Sequence, residues 1–163
     1  MEITALESKD VERFVDELWL PAQEDLAAGS PFTLKSDIRE AGIDHRRDRL
    51  TNDETVTYLA SGNADRDERL LGFLTAEVQT PPPIFESDRE CHINELYVRP
   101  SNRSRGVATE LLAVVESWAA DHGCERLDLN VTVANEIATA FYESAGFEIV
   151  RYNMKRPVEP VKS

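Results

Sequence analysis

Between His92 and Gly123 the chain passes from a strand to a helix across one short loop, and this passage restricts the fold more than any other feature. His92–Val98 reads as a strand, and Pro100–Arg105 as a loop. From Gly106 to about His122 the residues Val107, Leu111, Val114, Val115 and Trp118 recur at helical spacing. Gly123 sits where a glycine usually closes a helix. Leu127–Val133 then alternates apolar with polar residues, as a half-buried strand does. Strand, helix and strand in this order place the chain in the α/β class.

The remaining segments extend that pattern. Ile3–Leu6 reads as a first strand, and a helix beginning at Ser8 presents Val11, Phe14, Val15 and Leu18 on one face. A second, highly charged helix is expected from Ser36 to about Arg49. Thr55–Ala60 and Leu70–Val78 flank the turn-rich segment Ser61–Asp67 as a hairpin. Thr80–Glu90, with Pro81, Pro82 and Pro83, is a loop, because proline cannot donate to a ladder. Asn135–Ala145 reads as a helix ended by Gly146, and Phe147–Lys155 as a last strand. Without repeats or interdomain linkers, residues 1–156 read as one domain, followed by a short tail, 157–163.

Charge limits the partners. The chain carries 31 acidic against 18 basic side chains, a formal net charge of −13, and only four lysines. Phosphate backbones require a basic surface, so nucleic-acid binding is disfavoured. The acids are scattered, which is expected of a surface adapted to concentrated salt and a halophilic source; the alternative is an acidic groove for cationic amines. No run of about 18 apolar residues predicts a membrane span. The N-terminus lacks the basic and apolar regions of a signal peptide. Cys91 and Cys124 have no metal-ligand spacing, so the expectation is a reduced cytoplasm and no metal.

Two segments carry chemistry. In Val98-Arg-Pro-Ser-Asn-Arg103-Ser104-Arg105-Gly106-Val107-Ala108-Thr109, small residues let a ligand approach backbone, and successive N–H groups at a helix start form an anion cradle. Arg103 and Arg105 add positive charge, so a diphosphate is the natural ligand. In Asn135-Glu-Ile-Ala138-Thr-Ala-Phe141-Tyr142-Glu-Ser-Ala-Gly146-Phe147, Asn135 and Tyr142 stand two helical turns apart on one face. Ile137 and Phe141 lie on the adjoining face, where packing on the sheet is the simpler account.

Together these segments resemble the Gcn5-related N-acetyltransferase (GNAT) superfamily. The first is similar to its motif Gln/Arg-x-x-Gly-x-Gly/Ala, and the second to Asn-x-x-Ala-x-x-Phe/Leu-Tyr-x-x-x-Gly-Phe. The clear similarity covers about residues 91–156. The resemblance implies a three-layer fold: a mixed, mostly antiparallel sheet of six or seven strands, splayed at its centre, with about four helices.

It also implies an N-acetyltransferase that moves acetyl from acetyl-CoA to a primary amine, in a protein or a small molecule, by direct attack in a ternary complex. The backbone of Leu96, Tyr97 and Val98 would pair with the pantetheine arm. The N–H groups of Arg103, Ser104, Arg105, Gly106, Val107, Ala108 and Thr109 would hold the pyrophosphate. Asn135 would touch the cofactor arm, and Tyr142 would protonate the departing thiolate. Asn94 and Asn130 stand where many members carry an acid, which leaves Glu95 and His92 as candidate general bases. Such a protein is a monomer or a homodimer. Two other readings use the same residues: a non-catalytic CoA-binding or regulatory module, and an unrelated nucleotide-binding domain.

If the acidic surface serves salt tolerance, the thermal midpoint should rise as salt is raised into the molar range, because screening relieves self-repulsion. A midpoint that is flat with salt, together with a KM for a cationic amine that rises with salt, would instead indicate a steering groove.

Overall fold

Apolar alternation in the first 130 residues produces a five-stranded sheet of order β1-β2-β3-β4-β5. The computed structural model describes residues 1–28, 34–64, 67–86 and 88–160, and the chain divides into two compact units, Met1–Asn130 and Val131–Ser163. The strands are β1 (Glu2–Ala5), β2 (Thr55–Ala64), β3 (Asp67–Gln79), β4 (Arg89–Val98) and β5 (Cys124–Leu129). The first four pair antiparallel in succession, and β5 runs parallel to β4. Parallel neighbours need a crossover, supplied here by α4 (Val107–Asp121). The expected hairpin is β2–β3, with both strands longer than predicted; residues 65 and 66 of its turn lie outside the described residues.

The first helix is irregular for a reason visible in its sequence. A 3-10 turn at Ser8–Asp10 leads into α1 (Val11–Phe14), which widens into a π-helical stretch, Val15–Trp19, and continues as α2 (Leu20–Ala28). Pro21 has no N–H to give the carbonyl of Glu17. That carbonyl instead accepts from the Arg99 guanidinium, whose Nε donates to Leu70 O at 2.6 Å. The proline thus frees an acceptor that ties the helix to the end of the sheet.

Val11, Phe14, Val15 and Leu18, the predicted apolar face, are all fully buried. They pack in one cluster with Ile43, Leu59, Phe73 and Tyr97. Phe14 meets Phe73 edge-on at 5.0 Å between centroids. Ile43 comes from α3 (Ile38–Leu50), the charged helix expected at Ser36–Arg49. Leu74, next to Phe73 on β3, is fully buried but lies outside this cluster, as alternation requires. α4 packs against β2 to β5 and buries Val107, Leu111, Leu112, Val115 and Ala119. Helices therefore cover both sheet faces in three layers, the expected α/β arrangement.

In the second unit, α5 (Glu136–Ser144) is capped by its own chain. Asn135 Oδ1 accepts from Ala138 N at 3.1 Å. At the other end Gly146 has φ +96, its N–H reaches Glu143 O, and the Phe147 N–H reaches Tyr142 O. This is a Schellman closure, and Phe147 completes it by packing edge-on against Tyr142 at 5.6 Å.

The structure corrects three expectations. Residues 147–160 form no strand, and β5 stops at Leu129 rather than Val133, so the described residues hold five strands, not six or seven. Ile137 is 87% exposed and does not pack as expected. An alternating sequence says which side chains share a face; a ladder also needs a neighbour with free backbone groups. Among the described residues no helix is long and apolar enough to cross a membrane.

Phe73→Ala should destabilise the first unit by about 3–5 kcal/mol, the usual cost of emptying a buried aromatic site. Urea unfolding that shows a shifted midpoint at unchanged slope checks it.

Candidate active site

The loop between β4 and α4 is shaped by two left-handed residues, Ser104 at φ 62 and Gly106 at φ 83. Gly106 is the N-cap of α4. A Cβ there would meet nothing within 4 Å, so the requirement for glycine is its backbone conformation, not crowding. The first helical bond runs from Glu110 N to Gly106 O. Among the described residues, the N–H groups of Ser104, Arg105, Gly106, Val107, Ala108 and Thr109 have no protein acceptor. Six consecutive free donors at the positive end of a helix suit a diphosphate, which has the acceptors they lack.

The two arginines of the loop differ. Arg103 Nε donates to Val98 O at 3.0 Å, and its guanidinium lies 5.8 Å from the Tyr97 ring centroid. Its reach is thereby directed into the loop's own frame. Arg105 is exposed and forms no ion pair among the described residues.

β4 has an open edge beside this loop. Its pairing with β5 ends at Ile93↔Leu129, while its pairing with β3 continues to Val98. Arg99 N–H bonds to Leu71 O on the β3 side, so alternation turns the backbone of Leu96 and Val98 to the open edge and that of Tyr97 to β3. The central splay expected from the sequence is present. Tyr97 contributes its side chain to the core, with its hydroxyl donating to Asp25 of α2. Burial, followed by that carboxylate, pushes its phenol up to about 12.

On the same strand a bulge sets Glu95. Thr75 pairs with Glu95 and Ala76 with Ile93, which leaves Asn94 as the extra residue. Both Asn94 and Glu95 then reach α3. Asn94 accepts from Arg49 at 3.2 Å and donates to Glu77 at 3.1 Å. The Ala76 carbonyl, opposite the bulge, also accepts from Arg49, at 3.1 Å. Glu95 is ion-paired with Arg46, which is only 3% exposed, and accepts from Thr75 Oγ1 at 3.3 Å and Gln23 at 3.5 Å. Its carboxylate is occupied from three sides. Arg46, Arg49 and Asp25 were not singled out in the sequence, where one arginine of a charged helix looks like another. The available signal was Arg46 standing three residues after Ile43, on the buried face. Burial and the two guanidinium groups lower the pKa of His45 beside them.

His92 pairs in register with Asp128 of β5, and its Nδ1 bonds the Asp128 carboxylate. The ring is thus oriented by an acid, the usual support of a histidine base. Cys91 is fully buried, and desolvation pushes its thiol up to about 12, which leaves it a poor nucleophile.

In the second unit, Tyr142 is half-buried between Phe141 and Phe147, and desolvation raises its pKa. Asn135 uses Oδ1 for the helix cap and keeps its Nδ2 donors.

The family model described as Acetyltransferase (GNAT) family matches residues 13–147. An aminoglycoside N(6')-acetyltransferase type 1 of Stenotrophomonas maltophilia is 37% identical over 118 residues, covering 68% of this chain and 72% of that protein. A protein of the same name from Salmonella typhimurium is 29% identical over 99 residues, 56% of this chain and 63% of its own length, so the chain spans less than two thirds of that relative. Among solved structures, a Bacillus halodurans protein matches with TM-score 0.81 at 18% identity, covering 98% of this chain and 100% of that one. An aminoglycoside N-acetyltransferase solved in complex with CoA matches with TM-score 0.73 at 22% identity, covering 96% and 93%. These two matches show a shared fold. By the match over residues 13–147, the chain belongs to the acetyltransferase (GNAT) family, a family of acyltransferases.

Proposed function

We propose that this protein transfers an acetyl group from acetyl-CoA to a primary amine on a small molecule, by direct attack with both substrates bound. The observation that carries the reading is the row of free N–H donors from Ser104 to Thr109. Acetyl-CoA, when bound, supplies the thioester carbonyl that an amine attacks and the thiol that leaves.

The chain's own residues then have distinct tasks. The donors of Ser104–Thr109 hold the pyrophosphate, with Arg105 adding charge at its rim. The open-edge backbone of Leu96 and Val98 lines up the pantetheine arm, and Asn135 offers Nδ2 to it. Holding the two reactants in one geometry removes most of the bimolecular entropy cost. His92, oriented by Asp128, takes the proton that the amine must lose. Glu95 is the lesser candidate for base, because Arg46, Thr75 and Gln23 already engage it; it holds α2 and α3 to the bulge. Tyr142 gives its proton to the leaving thiolate, and its raised pKa keeps that proton available through the neutral range.

The relatives' names point to amino sugars as the first acceptors to try. A net charge of −13 supports a polycationic acceptor, since a negative protein raises the local concentration of cations.

Thiol release with a panel of amines, aminoglycosides included, tests the reading; acetyl-CoA and CoA, but not ATP, should raise the melting temperature. No stabilisation by CoA would remove the cradle assignment. Tyr142→Phe should lower the single-turnover rate by about 10²–10⁴-fold with CoA affinity nearly unchanged. For the native protein the rate should fall with rising pH only above the ordinary phenol range, because the protonated form is the active one and burial raises its pKa. His92→Gln should lower kcat on the same scale. Glu95→Ala should instead act on stability, by about 3–5 kcal/mol, because it leaves the Arg46 charge buried and unpaired. Equal kcat losses in both, with Glu95→Ala at native stability, would reverse these two assignments.

A further inference from the structure

Five large apolar side chains of the second unit, Ile137, Ile149, Val150, Tyr152 and Met154, are between 59% and 89% exposed. Four of them lie in residues 147–155, a segment with the composition of a strand covered on both faces. Phe147 and Ile149 fall on one face, and Val150, Tyr152 and Met154 on the other. No glycine or proline interrupts the segment before Pro157. It nevertheless forms no strand.

The sheet has a matching free edge. β5 is bonded to β4 on one side and ends the sheet on the other, which leaves a row of backbone donors and acceptors along Cys124–Leu129. Open edges of this kind recruit strands unless they are covered. Charge also matches. Residues 147–156 contain Arg151, Lys155 and Arg156 against the single acid Glu148, in a chain of net charge −13. At the β5 edge, Glu125 hydrogen-bonds Asp88, and the contact between two acids raises the Glu125 carboxyl pKa. A basic strand there would relieve that repulsion.

We infer that residues 147–155 add as a strand to the free β5 edge of a second copy of this chain, so that two copies exchange their C-terminal segments in a two-fold dimer. Every chain carries one open edge and one unpaired segment. A two-fold exchange satisfies both at once, whereas an unrelated partner would leave one of them unmet in each chain. The inference stands on these features alone and does not depend on acyl transfer.

Light scattering at micromolar concentrations should give twice the 18.4 kDa chain mass. Hydrogen exchange of the amides of 147–155 should be slowed at least tenfold in the dimer, and that protection should vanish on dilution in step with dissociation. The double variant V150P/Y152P removes two ladder donors and should be monomeric, with the helical circular dichroism retained. Exchange is measured on the native protein, so it decides the matter even if the variant fails to fold. A monomer at all concentrations overturns the inference. So does a dimer whose 147–155 amides exchange freely. Protection that persists in the diluted monomer also overturns it, since the segment would then pair with its own chain.

Discussion

The first unit depends on one irregularity in β4, the extra residue at Asn94, and on the buried charge that holds it. The bulge turns two successive side chains, Asn94 and Glu95, toward α3, where Arg49 and Arg46 meet them. An arginine as buried as Arg46 costs several kcal/mol in lost hydration unless a carboxylate answers it. Such a pair adds little stability over an apolar pair of equal size, but it admits only one arrangement of its parts. Gln23 and Thr75 complete that arrangement, so α2, α3, β3 and β4 are fixed at a single point. Just past it, β4 and β5 part, and the open backbone of Leu96 and Val98 begins.

The anion cradle is built into the same core through Tyr97. Its ring lies 6.1 Å from Phe73, its hydroxyl is on Asp25, and the Arg103 guanidinium sits over its face. Arg103 spends its Nε on Val98, which sets the path of the chain into the two left-handed residues. The arginine of the motif therefore shapes the loop, while the free N–H groups present themselves to a ligand. This explains how a chain of net charge −13 can hold an anion. The field of distant acids is screened beyond about 8–10 Å at physiological ionic strength, whereas N–H donors act at contact.

The second unit shows the reverse balance. Both ends of α5 are closed by local bonds, so the helix needs little help from packing to keep its bounds. None of its residues is fully buried. Local capping determines where a helix starts and stops, but it does not cover an apolar face.

Periodicity and punctuation in the sequence were enough for the hairpin, the α4 crossover, the caps of α5 and the buried face of α1, because spacing and turn chemistry are local. The loop from Arg103 to Thr109 was legible for the same reason: its glycine, small residues and helix start are contiguous. The structure changed the reason for Gly106, which is its positive φ rather than close approach. The roles of Glu95 and His92 could not be separated in the sequence. Their difference comes from Arg46, forty-nine residues before Glu95, and Asp128, thirty-six after His92. Likewise Phe147–Lys155 has a strand's alternation and no strand. Sequence alone determined which residues could form elements and a phosphate-binding turn. Which acid is locked and which histidine is oriented, and whether an apolar segment finds a ladder, only the tertiary structure decided, because partners distant along the chain supply the charge and the backbone bonds.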